Sequence, residues 1–176
     1  MPGSPARFPR VAIVGRPGTP DLAAPLARLA GFLSSHGHAV VLEADTARHT
    51  PLPGHATAEA DALGSRADLA MVNLETAVTD RGQPASKAYV FRAPRSAFAA
   101  LNSGGVDVAS IANNHGMDFG RMGLRDTLAA GRSAGVPVVG GGWNATQAYA
   151  PYRRTIGEQR IAIIAATQVL DDELVS

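Results

Sequence analysis

The chain alternates short apolar runs with stretches of helical spacing, and this alternation constrains the fold more than any other feature. Five apolar runs have the length of buried parallel strands. They span residues 11–14, 39–42, 69–72, 106–111 and 136–139, numbered here as strands one to five. Patterns typical of helices separate them, at about 19–33, 57–63, 95–102 and 122–134. This rhythm predicts a three-layer, doubly wound α/β fold with right-handed crossovers.

We expect one mostly parallel sheet with the strand order 2-1-3-4-5, and a single domain over all 176 residues. Residues 152–156 and 160–165, joined by Gly157-Glu158-Gln159, predict a C-terminal hairpin. The stretch 45–56 is predicted as a polar loop. The stretch 76–94 is predicted as a long and largely irregular loop, a feature that is usually functional or mobile in a compact domain.

Composition and charge exclude several classes of protein. Sixteen basic and fifteen acidic residues nearly cancel, so we expect no nucleic-acid or membrane partner. The chain has no cysteine, which excludes disulfides and thiolate metal sites. The first residues lack the apolar core of a signal peptide, and no run reaches the roughly 18 apolar residues of a membrane span. We therefore expect a cytoplasmic protein.

Polar residues follow strands three and four at the points where these strands end. Glu75 follows strand three, and Asn113, Asn114, His115 and Asp118 follow strand four. Ligands of doubly wound sheets bind at the carboxyl ends of strands, so these side chains are expected to converge. A carboxylate, an amide oxygen and an imidazole suit Mn, Fe or Zn. The spacing alone is more typical of an Asn turn followed by a histidine that caps the next helix.

Three cations of the long loop, Arg81, Lys87 and Arg92, are candidates for contact with an acidic substrate. Scattered cations of this kind are more often simply solvated. A small anionic ligand is therefore the partner class that the sequence leaves open, and no particular oligomeric state is predicted.

Residues 8–72 resemble the N-terminal segment of bacterial NAD kinases. The resemblance rests on "VAIVGRPGTPDLAAPLARLAGFLSSHGHAVVLEADTAR" and on "ALGSRADLAMV". In that family a GGDGT motif, whose aspartate is tied to catalysis, follows the third strand at once. Here Val72 is followed by Asn73-Leu74-Glu75-Thr76. The resemblance therefore implies a nucleotide-binding ancestry without NAD kinase activity.

Residues from about 68 to the end resemble the CapA family of poly-γ-glutamate capsule biosynthesis proteins, which looks like a branch of the calcineurin-like metallophosphoesterases. The resemblance rests on "VNLETAVTDRGQPASKAYVFRAP", "GVDVASIANNHGMDFGRMGLRDTLAA" and "AGVPVVGGGWN". It implies that Glu75 and Asn114 are metal ligands and that His115 stabilises the transferring phosphoryl group. The candidate substrate-binding residues are Asn113, Asp118, Lys87 and Arg92.

The chain departs from the CapA pattern after strand one. The family carries a Gly-Asp there that should supply a metal ligand, whereas this chain has Gly15-Arg16. A guanidinium cannot be deprotonated in a protein and therefore cannot ligate a metal. The family's later histidine motifs also have no match in residues 1–176. We therefore expect no required cofactor, and at most one weakly bound Mn, Fe or Zn ion.

The two resemblances overlap only at residues 67–72, where both families place a buried strand. We interpret the chain as a fragment chimera with a seam near 68–73, and as a folded scaffold without a complete active site. One alternative is a divergent CapA-like, metal-dependent phosphoester hydrolase. A second alternative is an NAD-kinase-like, Rossmann-like nucleotide-binding module.

If strand three is shared by both halves, residues 1–72 and 73–176 should not fold when they are expressed separately. Each piece would expose an unpaired strand edge, which favours aggregation. Solubility and cooperative thermal unfolding, followed by circular dichroism, measure this. Two soluble pieces that each unfold cooperatively would contradict the single-domain prediction.

Overall fold

A computed structural model describes residues 8–15 and 23–169. The strands of these residues are β1 (Arg10–Ile13), β2 (Ala39–Glu43), β3 (Ala56–Ala58), β4 (Met71–Asn73), β5 (Ala77–Val78), β6 (Arg92–Ala93), β7 (Val108–Ser110), β8 (Val138–Val139), β9 (Tyr152–Ile156) and β10 (Gln159–Ile163). The α-helices are α1 (Ala23–Ser35), α2 (Ala44–His49), α3 (Leu63–Arg66), α4 (Ser96–Ser103), α5 (Gly120–Ala134) and α6 (Ala145–Ala148). Arg16 lies outside the described residues. No helix in the described ranges is long and apolar enough to cross a bilayer.

The chain divides into two compact units. The first contains Met1–Ala70 and Ile156–Gln159, and the second contains Met71–Thr155 and Arg160–Ser176. Each unit has its own parallel sheet and its own apolar core.

The sheet of the first unit has the order β1-β2-β3, with all strands parallel. Val11 lies opposite Val40, and Leu42 lies opposite Thr57. Helix α1 contributes its apolar positions to the core. The buried members of this core are Ile13, Leu26, Ala30, Val40 and Leu42. The predicted strands one and two therefore pair in parallel, as the alternating pattern indicated.

The prediction of a polar loop at 45–56 is wrong, because most of α2 lies there and β3 begins at its end. Glu43 takes the N-cap position of α2, where its carboxylate accepts hydrogen bonds from the backbone N–H groups of Asp45 (2.8 Å) and Thr46 (2.6 Å). These bonds lower the pKa of Glu43. Glutamate is an uncommon N-cap, so the usual sequence signal for a helix start was missing. The helix predicted at 57–63 is present in part: residues 57 and 58 belong to β3, and a 3₁₀ turn at Ala60–Ala62 then leads into α3.

The sheet of the second unit has the order β4-β7-β8, again parallel. These are the predicted strands three, four and five, and they are neighbours in that order. Val72 lies opposite Ala109, and Ala109 lies opposite Val138. The mostly parallel α/β class is therefore confirmed. The single sheet of order 2-1-3-4-5 is not confirmed.

Helices α4 and α5 cover the sheet of the second unit and share its core. The buried residues of that core are Val78, Phe98, Ala109, Ala130 and Val136. A Cβ atom on Gly131 would lie 2.7 Å from Val138 Cγ2 and 2.9 Å from the Val136 carbonyl oxygen, so only glycine allows this close approach of α5. Helix α5 ends at Gly135, whose φ of 73° is the left-handed C-cap conformation that glycine adopts readily.

The stretch 76–94 is less irregular than predicted, because β5 and β6 pair in parallel near its two ends. The two ends of the intervening segment, residues 79–91, therefore lie next to each other. At the C-terminal end of the described chain, β9 and β10 pair as the predicted hairpin, connected by Gly157 and Glu158.

An ion pair between the exposed Arg81 and the buried Asp126 holds the start of the 76–94 stretch against α5. Asp126 is 3% exposed, and its Oδ2 accepts hydrogen bonds from Thr79 Oγ1 (2.6 Å) and Arg81 Nε (3.0 Å). A second guanidinium nitrogen of Arg81 bonds Oδ1. The bonds from Arg81 and then from Thr79 lower the pKa of Asp126 to about 2. Arg81 therefore has a structural role, because its guanidinium is bound to Asp126.

Asp126→Asn should lower the free energy of unfolding at pH 7 by about 1–2 kcal/mol, because the amide cannot match a carboxylate that accepts charged hydrogen bonds. The pKa of Asp126 in the folded state lies below its ordinary value of 3.8, so the carboxylate stabilises the fold above about pH 4. That contribution disappears as the pH falls through 2. Urea unfolding of both proteins from pH 7 to pH 2 measures the difference.

The exposed neighbour Asp80 provides the control for this prediction. Asp80→Asn should leave the free energy of unfolding within about 0.5 kcal/mol of the parent value. A difference between Asp126→Asn and the parent that stays constant down to pH 2 would contradict the assignment.

Candidate functional site

The candidate site lies at the carboxyl ends of β4 and β7. The two strands run parallel, with Asn73 opposite Ser110 at their last paired position. The Leu74 N–H continues the pairing by donating to the Ser110 carbonyl oxygen at 2.8 Å. The loops that follow both strands therefore begin side by side, as expected for adjacent parallel strands.

Asn73 and Asn113 join these two loops through their side chains. Asn113 Nδ2 donates to Asn73 Oδ1 (2.9 Å) and to the Leu74 carbonyl oxygen (3.1 Å), while its Oδ1 accepts from the His115 N–H (2.9 Å). Asn73 Nδ2 in turn donates to Glu75 Oε1 at 2.8 Å. Asn113 thus acts as a turn residue that also connects Glu75 with the histidine loop. The sequence analysis did not identify the role of Asn73.

His115 is buried and has a partner on each ring nitrogen. Its Nδ1 lies 2.9 Å from Asp118 Oδ2, and its Nε2 lies 3.1 Å from Asn114 Nδ2. A carboxylate only accepts and an amide nitrogen only donates, so this arrangement carries the proton on Nδ1 and the lone pair on Nε2. The ring of Phe91 packs against the imidazole with centroids 4.2 Å apart. His115 does not cap α5, because the N-cap of that helix is Phe119.

Asp118 is fully buried and has partners on both oxygens. Its Oδ2 accepts from the Phe91 N–H at 2.5 Å and faces His115. Its Oδ1 accepts no hydrogen bond of good geometry from the described residues, but lies 2.6 Å from the ammonium of Lys87. The ion pair compensates the charge, since a buried carboxylate without a partner would be costly.

Lys87 connects the 76–94 stretch to the histidine loop. Besides Asp118, its ammonium donates to the Asn114 carbonyl oxygen. The side chain is 18% exposed. Lys87 is the only lysine among sixteen basic residues. This feature of the sequence could have marked it as a residue of the candidate site. We call the three residues Lys87, Asp118 and His115 the buried triad.

The other candidate cations lie elsewhere. Arg92 is exposed, and its guanidinium stacks 4.8 Å above the ring of Phe119. Arg81 pairs with Asp126. Of the three cations of the long loop, Lys87 alone belongs to the buried triad, and contact of Lys87 or Arg92 with a substrate stays a prediction.

The donors of this loop cluster suit a metal only in part. Glu75 offers an exposed carboxylate, and Asn114 has an amide oxygen without a hydrogen bond in the described ranges. Both are ligands for Mn, whereas the lone pair of His115 Nε2 faces the amide nitrogen of Asn114. Within residues 8–15 and 23–169, however, no three His, Cys, Asp or Glu side chains are grouped to hold a metal. The described donors therefore suit one weakly held ion and do not suit a two-metal centre.

The fold and this cluster define an α/β protein with a polar site at the carboxyl ends of parallel strands, the usual ligand-binding position of this class. The family model for bacterial capsule synthesis proteins, PGA_cap, matches residues 40–175. The chain therefore belongs to the PGA_cap family.

Two kinds of relative each match part of the chain. The NAD kinase of Burkholderia vietnamiensis (strain G4) is 47% identical over 66 residues, which cover 38% of this chain and 22% of that protein. A probable polyglutamine synthesis accessory protein of Mycobacterium tuberculosis (strain CDC 1551) is 36% identical over 100 residues, covering 56% of this chain and 26% of that protein. The chain thus spans about a quarter of the length of these relatives. Both predicted resemblances are confirmed.

Lys87→Met should lower the free energy of unfolding by about 3–5 kcal/mol, because it leaves the buried Asp118 carboxylate without its ammonium partner. Lys87→Arg keeps the positive charge and should recover most of that loss. Urea unfolding followed by circular dichroism measures both variants. Equal stabilities of Lys87→Met and the parent would show that Asp118 does not depend on Lys87.

Proposed function

We propose that the loop from Asn113 to Asp118 is a phosphoryl-handling site of the CapA type, in a protein that acts in the synthesis of a bacterial capsule polymer. The reaction class is metal-dependent hydrolysis of a phosphoester, and the setting is the cytoplasm. The buried triad carries this proposal. A histidine held by a buried carboxylate, which is itself paired with the only lysine, is an arrangement suited to moving a proton at a fixed place.

His115 is the proposed catalytic residue. Asp118 holds the imidazole through Nδ1, so Nε2 is the nitrogen that exchanges a proton with a bound phosphoester. Once the bond from Asn114 Nδ2 is released, the ring protonated at Nε2 would donate a hydrogen bond to a phosphoryl oxygen, and Asp118 would stabilise the resulting imidazolium. Asn114 and Lys87 are positioning residues, because they touch His115 and Asp118.

Glu75 and Asn114 are the proposed ligands of a single Mn, Fe or Zn ion. A metal bound there would polarise a phosphoryl oxygen and make a bound water more acidic. The same exposed carboxylate of Glu75 would repel an anionic substrate when no ion is present, since two negative charges at close range destabilise each other. A metal would therefore favour substrate binding as well as the chemical step.

We also propose that the chain arose as a fragment chimera. The boundary between the compact units, between Ala70 and Met71, falls inside the expected seam at 68–73. The NAD kinase match covers 66 residues and the capsule-related match covers 100. The family model begins at residue 40, upstream of the seam, so the segment 40–72 is compatible with both ancestries.

A folded scaffold without turnover is the second candidate function. It is favoured by Arg16, which stands where the CapA pattern carries a metal ligand, and by the small number of metal donors in the described parts of the chain. NAD kinase activity is not proposed, because Asn73-Leu74-Glu75 occupies the position of the GGDGT motif.

Mn binding and hydrolysis of bis-p-nitrophenyl phosphate test the proposal. Electron paramagnetic resonance of free Mn should show weak binding by the parent and a loss of binding in Glu75→Gln. His115→Asn removes the catalytic imidazole, so it should abolish hydrolysis while most of the Mn binding remains. Glu158→Gln, an exposed carboxylate of the hairpin turn, is the matched control.

The outcomes separate the two candidate functions. Mn binding that Glu75→Gln does not change would contradict the metal assignment. Mn binding by the parent without hydrolysis, at any concentration of Mn, would favour the scaffold. Hydrolysis that persists in His115→Asn would exclude His115 as the catalytic residue.

A further inference from the structure

A solvent-open groove of about 820 Å³ lies in the second unit, beyond the carboxyl ends of β7 and β8. We propose that this groove binds an organic anion, with an apolar or aromatic body against Trp143 and a carboxylate or phosphate group on Arg121. This site goes beyond the proposed hydrolase function, since it requires neither a metal nor His115. Its volume falls within the range of roughly 300–1,000 Å³ that is typical of small-molecule sites.

The groove has an apolar floor and exposed aromatic walls. Ile111 and Leu124, both buried, line its floor, while Trp143 is 42% exposed and Tyr149 is 60% exposed. Large aromatic side chains that face solvent in a concave surface are typical of binding sites, because their rings gain most from being covered. The body of the ligand is therefore expected to be apolar or aromatic.

Arg121 gives the groove its charge. Its guanidinium lies 5.2 Å from the centre of the Trp143 ring, a cation–π contact. None of the described residues that line the groove is an aspartate or a glutamate, and Arg121 forms no ion pair with any described residue. A stacked guanidinium keeps its in-plane N–H groups free for a bidentate bond to a carboxylate or phosphate. The charge of the groove is therefore complementary to an anion.

The loop that carries Trp143 is held in place before any ligand binds. The backbone N–H of Trp143 donates to Gln147 Oε1 (2.9 Å). Asn144 caps α6, because its Oδ1 accepts from the backbone N–H of Gln147 (2.9 Å). A Cβ atom on Gly142 would lie 2.5 Å from Gln147 Cβ and 2.7 Å from the Ala148 nitrogen, so the loop closes tightly only with glycine. A rigid aromatic platform loses little freedom on binding, which favours affinity.

Carboxylate and phosphate groups both suit a guanidinium, so the probes must separate them. Trp143 is the only tryptophan of the chain, and its fluorescence therefore reports on the groove directly. The probes are phenyl phosphate and phenylacetate, compared with neutral 2-phenylethanol and with inorganic phosphate, in metal-free buffer. We expect a saturable change with the aryl anions and a much weaker response to the two comparison compounds.

Arg121→Gln should weaken binding of the aryl anions on the order of ten- to a hundredfold, the usual effect of losing a charged hydrogen bond. Arg121→Lys keeps the charge but loses the planar stacking, so its loss should be intermediate. Arg125→Gln is the matched control, because Arg125 is exposed on the same helix one turn further and does not line the groove. Circular dichroism confirms that each variant is folded.

The source of the anionic group follows from which probe binds more tightly, phenyl phosphate or phenylacetate. Three results would overturn the proposal: no saturable change with either aryl anion, unchanged affinity in Arg121→Gln, or an equal loss in Arg125→Gln. Because the titration needs no Mn, its failure would leave the hydrolase proposal standing, and a failed hydrolase test would leave this one standing.

Discussion

The buried carboxylate of Asp118 is the interaction on which the candidate site depends. Removing a carboxylate from water costs several kcal/mol unless charge and hydrogen bonds replace the lost solvation. The Lys87 ammonium, the Phe91 N–H and the His115 ring supply them, and each comes from a different place in the sequence. Three segments must therefore become ordered together: the loop after β7, the middle of the 76–94 stretch, and the residues just before β6. The geometry of the candidate site and the local stability of these segments therefore depend on the same contacts.

A second carboxylate on the same unit explains why so long a connection is ordered. Asp126 holds Thr79 and Arg81 at the start of the stretch, and Asp118 holds Lys87 and Phe91 further along it. The pairing of β5 with β6 closes the segment between them. Few apolar side chains are available in this region to bury, so polar contacts to two buried acids take the place of a core.

The sequence predicted what depends on local pattern. Apolar runs located the five main strands, and the pairings of strands three to five followed from the alternating rhythm. The sequence also predicted that Glu75 lies close to the histidine loop, because both follow the carboxyl ends of adjacent parallel strands. Contacts that depend on distant residues were not predicted: no periodicity links Lys87 to Asp118, or Thr79 to Asp126. Helix α2 was missed because Glu43 caps it with a residue that rarely marks a helix start.

The histidine loop borders both proposed sites, and Asn114 belongs to both. Its amide nitrogen touches His115, while its side of the loop forms one end of the groove that holds Arg121 and Trp143. Lys87 and Asp118 neutralise each other, so the triad adds little net field to the groove. Arg121 therefore supplies the positive charge of the groove, next to a candidate site whose own buried charges are already compensated.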